Sequence, residues 1–241
     1  MDTIVKPRFR TRVAWDGLLD TPDAEPTEGA PPALSGHEAP GLRGVLGEAA
    51  WERLPARVRA RFGEPVLAVD YVGEFDVVRA SVVGRVIAWL CQAIGTPIVP
   101  RTGRNVPAVI RVGPVARGAS WLREYRWPRG GTCRVHSTKV IGSNGELVEE
   151  LPAGLRMPLT VYERQGVLHF VSKGYYFELR TSRGAAIARI PLPSWLAPGT
   201  THVEHADETN GWFRFTMTVT HSILGEVYYQ TGRFRAAGGQ S

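Results

Sequence analysis

Phe213-Arg-Phe-Thr-Met-Thr-Val219 is the stretch of sequence that decides the fold. Every second residue in it is apolar, which is typical of a strand with one face on a core and the other on water or a cavity. A turn over residues 222–225 leads to a second β-rich run over residues 227–231, so the two runs predict an antiparallel hairpin. The sequence leaves open which face looks inward. An inward Phe213 face predicts an apolar pocket or a plain core, whereas an inward Trp212 face predicts a polar site.

The same alternation recurs upstream, from about residue 108 onward. Short β-rich segments are separated there by glycine-containing turns such as Asn144-Gly145 and Gln165-Gly166. Short strands joined by such turns indicate one antiparallel meander.

Two helical segments come before these strands. Apolar spacing predicts a helix over residues 46–62, interrupted at Pro55, and a second over residues 82–94 that Ser81 caps. The second helix is expected to present an apolar stripe that includes Val83 and Val86. We therefore expect an α+β fold, mainly antiparallel β, with a curled sheet or incomplete β-barrel and one or two helices packed against it.

Composition divides the chain into three parts. Residues 1–40 are rich in proline and poor in large apolar side chains, which predicts an N-terminal extension, mobile or wrapped on the domain. Residues 41–236 are expected to form a single α+β domain, followed by a tail over residues 237–241. No apolar run is long enough to span a bilayer, and the start lacks the features of a signal peptide, so we expect a cytoplasmic location.

The positive charge is concentrated in one segment. The chain has a formal net charge of +6, and residues 101–140 carry nine bases against one acid, Glu124. Such a segment suits an anionic ligand or an acidic partner. No helix-turn-helix, zinc-finger or RNA-binding aromatic signature accompanies it, which argues against nucleic acid. Arginines that solubilise a sheet are the plain structural explanation.

Several short pieces occur in an order that is typical of one family. They are Tyr71-Val-Gly73, Gly95-Thr-Pro97, Trp121-Leu-Arg-Glu-Tyr125, Leu147-Val-Glu149, Leu192-Pro-Ser-Trp-Leu-Ala-Pro198 and the hairpin strand that begins at Phe213. Together they resemble the uncharacterised bacterial family catalogued as domain of unknown function 4166, over roughly residues 45–235. The resemblance implies no established reaction and no catalytic residues.

Arg123 is the first candidate for chemistry. It lies between Trp121 and Tyr125 on one face of a predicted strand, with Trp127 next along. A guanidinium among aromatic rings can stack on them and bind a carboxylate or phosphate with two hydrogen bonds. The structural alternative is an arginine packed on its neighbours at a sheet surface.

Three further residues are candidates for acid–base work. His136 shares a strand face with Arg134 and can act as a general base near neutral pH. Glu149 follows a turn, and Glu178 lies among aromatic residues, where a carboxyl group can have a raised pKa. Each also has a structural alternative, which is a packed histidine or an ion pair with a nearby arginine.

The segment His202-Val-Glu-His205 suggests a metal site, but its spacing does not support one. On a strand, His202 and Glu204 face one way and His205 faces the other, so three ligands do not converge. The sequence therefore predicts neither a metal nor a cofactor.

Three functions remain open. The first is binding of a hydrophobic or amphipathic small molecule in a β-cavity. The second is a cofactor-free cyclase, isomerase or dehydratase of secondary metabolism that uses the same cavity, and the third is an interaction domain that uses residues 101–140. The predicted ligand-binding residues are aromatic and are Trp121, Tyr125, Trp127, Tyr176, Trp212 and Tyr228.

Overall fold

Antiparallel strands dominate the computed structural model, which describes residues 41–92, 98–128, 130–142, 144–181 and 186–238. The helices in these ranges are α1 (Leu42–Leu46), α2 (Glu48–Arg53), α3 (Ala56–Phe62) and α4 (Val82–Gln92). The strands are β1 (Val69–Ala80), β2 (Gly103–Val115), β3 (Gly118–Arg126), β4 (Thr132–Ile141), β5 (Leu147–Glu150), β6 (Leu155–Arg164), β7 (Val167–Ser172), β8 (Tyr175–Arg180), β9 (Ala186–Leu192), β10 (Thr200–Asp207), β11 (Phe213–His221) and β12 (Gly225–Ala236).

Ten of these strands close into a barrel. The order is β5-β4-β3-β2-β1-β12-β11-β10-β7-β6, and β6 then pairs with β5. Strand β8 pairs with β6 and carries β9, so these two strands extend from the ring. The mainly antiparallel β fold is confirmed, but the expectation of a curled sheet or an incomplete barrel is wrong. Closure depends on β5, in which Leu147 lies opposite Ile141 of β4 and Leu159 of β6.

The closing hairpin forms as predicted, and its orientation answers the question that the sequence leaves open. Strands β11 and β12 pair antiparallel, with Phe213 opposite Phe234 and Val219 opposite Tyr228. The Phe213 face is buried and points into the barrel, whereas the side chains between its residues lie outside. Among the turns, the Gln165-Gly166 pair between β6 and β7 has positive φ at both residues (54° and 76°), as a two-residue hairpin turn requires.

Aromatic packing fills one part of the interior. The ring of Phe75 stacks on Tyr125 at a centroid distance of 4.9 Å and meets Phe215 and Phe234 edge-on. A Cβ at Gly232 would lie 2.7 Å from the Cα of Phe75. Glycine therefore lets β12 approach β1 closely at the point where Phe75 enters the core.

The predicted break at Pro55 is confirmed, because α2 ends at Arg53 and α3 begins at Ala56. Proline cannot donate the backbone hydrogen bond that a continuous helix needs. The end of α3 brings Phe62 against Trp121 and Phe170 of the barrel, with centroid distances of 5.6 and 5.5 Å. The helix thus contributes to the interior rather than only covering it.

Helix α4 is capped as predicted, since the backbone N–H of Gly84 donates to Ser81 Oγ at 2.9 Å. The expectation that Val83 and Val86 form part of a buried stripe is wrong, because both side chains are exposed. Gly84 and Ala88 face the barrel instead. The helix lies so close to β12 that a Cβ at Gly84 would overlap the carbonyl oxygen of Val227.

Some sequence predictions fall on residues that the structure does not describe, among them the predicted end of the second helix at residues 93–94. The extension over residues 1–40 lies outside the described residues, as does the end of the tail beyond residue 238. Within the described ranges, no helix has both the length and the apolar character needed to cross a bilayer.

Candidate functional site

Strand β3 places its aromatic residues and Arg123 inside the barrel. Trp121, Arg123 and Tyr125 alternate along the strand and are almost completely buried. The guanidinium of Arg123 lies 5.8 Å from the ring centroid of Phe215 on β11. Because β3 and β11 are not neighbours in the sheet, this contact crosses the interior.

Arg123 belongs to a buried charged cluster with Lys139 and Glu149. Lys139 Nζ lies 3.0 Å from Glu149 Oε2, and Arg123 Nη2 lies 3.8 Å from Glu149 Oε1. All three side chains are nearly buried: that of Lys139 is 10% exposed, that of Glu149 4% and that of Arg123 5%. Two basic groups therefore share one carboxylate inside the barrel.

The pKa values of this cluster reflect burial and mutual attraction. Burial alone would raise the pKa of Glu149, but the nearby charges of Lys139 and Arg123 hold it below the usual value. Burial lowers the pKa of Lys139, and Glu149 opposes this effect. Glu149 is thus an ionised partner of the bases, which does not match the raised pKa that a general acid needs.

Several hydrogen-bond donors in the interior have no partner among the described residues. They include Arg123 Nη1, Trp121 Nε1, Trp127 Nε1 and Gln230 Nε2. Buried polar groups are normally satisfied, and each exception calls for an explanation such as a ligand or an ordered water. All four atoms are donors, so a group that pairs with any one of them is an acceptor.

An aromatic cage surrounds His205 of β10. The rings of Phe62, Trp121, Phe170, Phe213 and Phe215 lie at centroid distances of 4.8 to 6.1 Å from its imidazole. Burial, reinforced by Arg61, Lys139 and Arg123, holds the pKa of His205 well below its usual value. The imidazole is therefore neutral at pH 7, and its Nδ1 has no partner among the described residues.

Two tyrosines bind one glutamine deeper in the core. Tyr125 and Tyr228 each donate from the hydroxyl to Gln230 Oε1, at 3.1 and 2.8 Å. Burial raises the pKa of Tyr125 to about 12, and burial together with Tyr125 raises that of Tyr228 well above the usual value. Both phenols are therefore protonated donors, which fixes the Gln230 amide with its Nε2 free.

The structure brings together six of the residues singled out by sequence. They lie in the barrel and are Arg123, Glu149, Trp121, Tyr125, Trp127 and Tyr228. Sequence reasoning missed Lys139 and Gln230, and it considered His205 only as a possible metal ligand. Lys139 shares the inward face of β4 with Val135, so strand alternation indicates its position once the inner face is known.

The other four candidates, among them the buried Glu178, lie outside the barrel interior. His136 is exposed and hydrogen-bonds through Nε2 to Ser120 Oγ at 3.0 Å. The ring of Tyr176 has the Arg189 guanidinium 5.3 Å from its centroid, and that of Trp212 has Arg235 at 5.0 Å.

Glu178 shows the structural alternative that the sequence offers, which is an ion pair. Its carboxylate contacts Arg156, Arg180 and Arg189 at 2.9, 2.7 and 3.1 Å. Burial would raise the pKa of Glu178, but hydrogen bonds and charges from these arginines hold it below the usual value. Glu178 therefore joins β8 to β9 and β6 as a carboxylate.

A comparison with known families gives one match. A family model described as "Domain of unknown function (DUF4166)" matches residues 54–234, which is most of the chain. The matched range runs from the α2–α3 connection into β12 and includes the interior residues described above. No curated protein and no solved structure matches the chain.

Proposed function

We propose that this chain, which belongs to the family described as domain of unknown function (DUF4166), binds a small amphipathic molecule with an anionic end inside its barrel. The anionic end contacts Arg123 and Lys139, and the apolar part contacts the aromatic rings around them. A carboxylate is the group that fits this chemistry best.

The observation that carries the proposal is the unpaired Nη1 of Arg123. This atom is buried, has no partner among the described residues, and belongs to a cluster with two bases and one carboxylate. A second anion would balance the cluster and satisfy the free donor. The indole N–H of Trp121, two residues away on the same face, also has no partner among the described residues.

The surroundings of the cluster suit the apolar part of such a ligand. Lys139 Nζ lies 5.6 Å from the ring centroids of both Trp121 and Phe170. Ligand sites combine apolar and aromatic surfaces with a few fixed polar groups, and this arrangement has that composition. An acid with an apolar body is complementary to both components.

Catalysis is the second candidate, and His205 favours it. A neutral imidazole with a free Nδ1 can, as its Nδ1–H tautomer, donate a hydrogen bond to a substrate carbonyl while Arg123 or Lys139 stabilises an enolate-like charge. This supports the cofactor-free isomerase, cyclase or dehydratase hypothesis.

The interaction-domain hypothesis stays a prediction without a specific observation in its favour. The bases of residues 101–140 do not share one surface. Arg123 and Lys139 lie inside the barrel, whereas Arg126 and Arg134 bind Glu124 on the outside at 3.0 Å each.

The proposal is tested by asking whether the affinity for a ligand depends on the negative charge of that ligand and on the positive charge of Arg123. Protein purified from its own host is examined by native mass spectrometry for a co-purifying molecule. Tryptophan fluorescence then follows titration with aliphatic and aromatic carboxylic acids and with the corresponding alcohols. We expect acids to bind more tightly than alcohols, and Arg123→Met to weaken acid binding by about 10- to 100-fold, as loss of a buried charged partner does.

Arg126→Met is the matched control. It removes an arginine from the same strand, but from the outer face, where Glu124 keeps Arg134 as a partner. The control is expected to bind acids like the wild type. Equal affinity for acids and alcohols, or equal binding by the Arg123→Met variant, contradicts the proposal. For the catalytic candidate, His205→Gln is expected to abolish turnover of a bound acid while leaving its binding in place.

A further inference from the structure

We propose that the outer face of β7 and β10 binds a divalent transition metal of the zinc class through His169, His202 and Glu204. His169 Nδ1 lies 3.1 Å from His202 Nε2 and 3.4 Å from Glu204 Oε1. His202 Nε2 lies 3.9 Å from the same carboxylate oxygen. The three ligand atoms are all within 4.8 Å of one another.

These separations match the geometry of a tetrahedral metal centre. With metal–ligand bonds of about 2.0–2.1 Å, neighbouring ligand atoms of a tetrahedron lie about 3.3–3.4 Å apart. The three observed distances of 3.1, 3.4 and 3.9 Å fall on both sides of this value. Only a small movement of the partly exposed His202 and Glu204 side chains would bring all three atoms to equal distance from one ion.

Strand pairing creates the cluster, and the spacing of residues 202–205 alone does not reveal it. His202 and Glu204 lie on the outer face of β10, and His205 turns into the barrel as the alternation requires. The third ligand comes from the neighbouring strand, because His169 of β7 lies directly opposite Glu204. Two imidazoles and one carboxylate are a ligand set that zinc uses in proteins.

Neighbouring groups hold the ring of His169 in place. Tyr162 of β6 stacks on it at a centroid distance of 4.7 Å and an interplanar angle of 11°. This stacking restricts rotation of the imidazole and so orients it toward His202 and Glu204.

The site leaves room for a fourth, exchangeable ligand. His169 and Glu204 also line a groove of about 330 Å³, together with Arg164 and Arg214. Three protein ligands beside an open position are typical of zinc sites that bind water or a small anion, whereas structural sites have four protein ligands. Arg214 binds Asp76 and Glu208 at 2.8 Å each, so the positive charge available to an anion with carboxylate or phosphate oxygens at that position is that of Arg164.

Metal titration tests this inference without any assumption about the barrel interior. Tag-free protein is treated with EDTA, dialysed and titrated with Zn²⁺ in a calorimeter, and with Co²⁺ while the visible absorption spectrum is recorded. We expect one metal per chain, a tetrahedral Co²⁺ spectrum, and a change in that spectrum when acetate or inorganic phosphate is added. His202→Asn and Glu204→Gln are each expected to weaken Zn²⁺ binding by about 100-fold or more, since even outer-shell changes cost 10- to 100-fold.

His136→Asn is the matched control, because it removes a histidine from the outer face of another strand. It is expected to bind Zn²⁺ like the wild type. His202 and Glu204 are both partly exposed, so their variants should keep the melting temperature of the wild type. No binding at micromolar Zn²⁺, or binding that neither substitution weakens, overturns the inference.

Discussion

Lys139 of β4 and Glu149 of β5 lie directly opposite each other across the strand pair, and their charged atoms are 3.0 Å apart inside the barrel. The pair lies where β5 closes the ring of strands. Arg123 shares the carboxylate from β3, so one acidic side chain holds bases from two strands. The ion pair of Lys139 and Glu149 therefore joins two strands at the point where the barrel closes, and it also places a negative charge beside the buried bases.

Removing this carboxylate is expected to destabilise the protein strongly. Glu149→Gln leaves Lys139 and Arg123 buried without an anion, and breaking a buried ion pair costs about 3–5 kcal/mol. The free energy of unfolding is measured by denaturant titration. Glu226→Gln is the control, because its pair with Arg79 lies at the surface, where such a pair contributes about 0–1 kcal/mol. Equal losses for the two variants contradict the prediction.

The effect of Glu149→Gln is also expected to depend on pH. The pKa of Glu149 is lower in the folded protein than in the unfolded chain, where it is about 4.3. The stabilisation of the folded state by ionised Glu149 is therefore complete above about pH 4.3, and it is lost as the pH falls through the pKa of Glu149 in the folded protein. The difference in unfolding free energy between wild type and variant should stay constant from pH 7 to 5 and shrink below about pH 4. A difference that widens on acidification contradicts this assignment.

The local pattern of the sequence predicts much of the fold, but it does not predict which residues of different strands come together in the candidate site. Alternation correctly places Trp121, Arg123 and Tyr125 on one face, since a strand has a period of two. Alternation does not say which face is inner. For this reason alternation does not distinguish His136 and Glu178 from Arg123, although they lie outside the barrel.

Long-range pairing accounts for what the sequence could not predict. Closure depends on the four-residue strand β5, whose two partners are fixed only when the other strands are in place. The meeting of Lys139 with Glu149, and of His169 with Glu204, follows from register between strands. No spacing within a single segment carries that information.

His205 is expected to remain neutral well below pH 6.5. Burial in the aromatic cage, with Arg61, Lys139 and Arg123 nearby, lowers its pKa in the folded protein. Because the unfolded chain binds a proton at about pH 6.5, His205 contributes to a fall in stability as the pH drops below that value. NMR titration of the imidazole resonances should show no midpoint for His205 between pH 8 and 6, whereas the protein in urea should titrate near 6.5. A folded-state midpoint at or above 6.5 contradicts the prediction.

Close packing of α4 against β12 makes Gly84 intolerant of any side chain. Alanine would raise helix propensity by about 1 kcal/mol, but its Cβ would overlap the carbonyl oxygen of Val227. That oxygen accepts a hydrogen bond from the backbone N–H of Ser81 at 3.1 Å, so the helix cannot move away without weakening its first turn. Overpacking costs about 1–3 kcal/mol and the lost hydrogen bond about 1 kcal/mol more, so the clash outweighs the gain in propensity.

We expect Gly84→Ala to lower the free energy of unfolding by about 1–3 kcal/mol in denaturant titration. Gly113→Ala is the control, because a Cβ there meets nothing within 4 Å, and it should be neutral or slightly stabilising. A Gly84→Ala variant as stable as the control would show that α4 does not pack on the Val227 carbonyl.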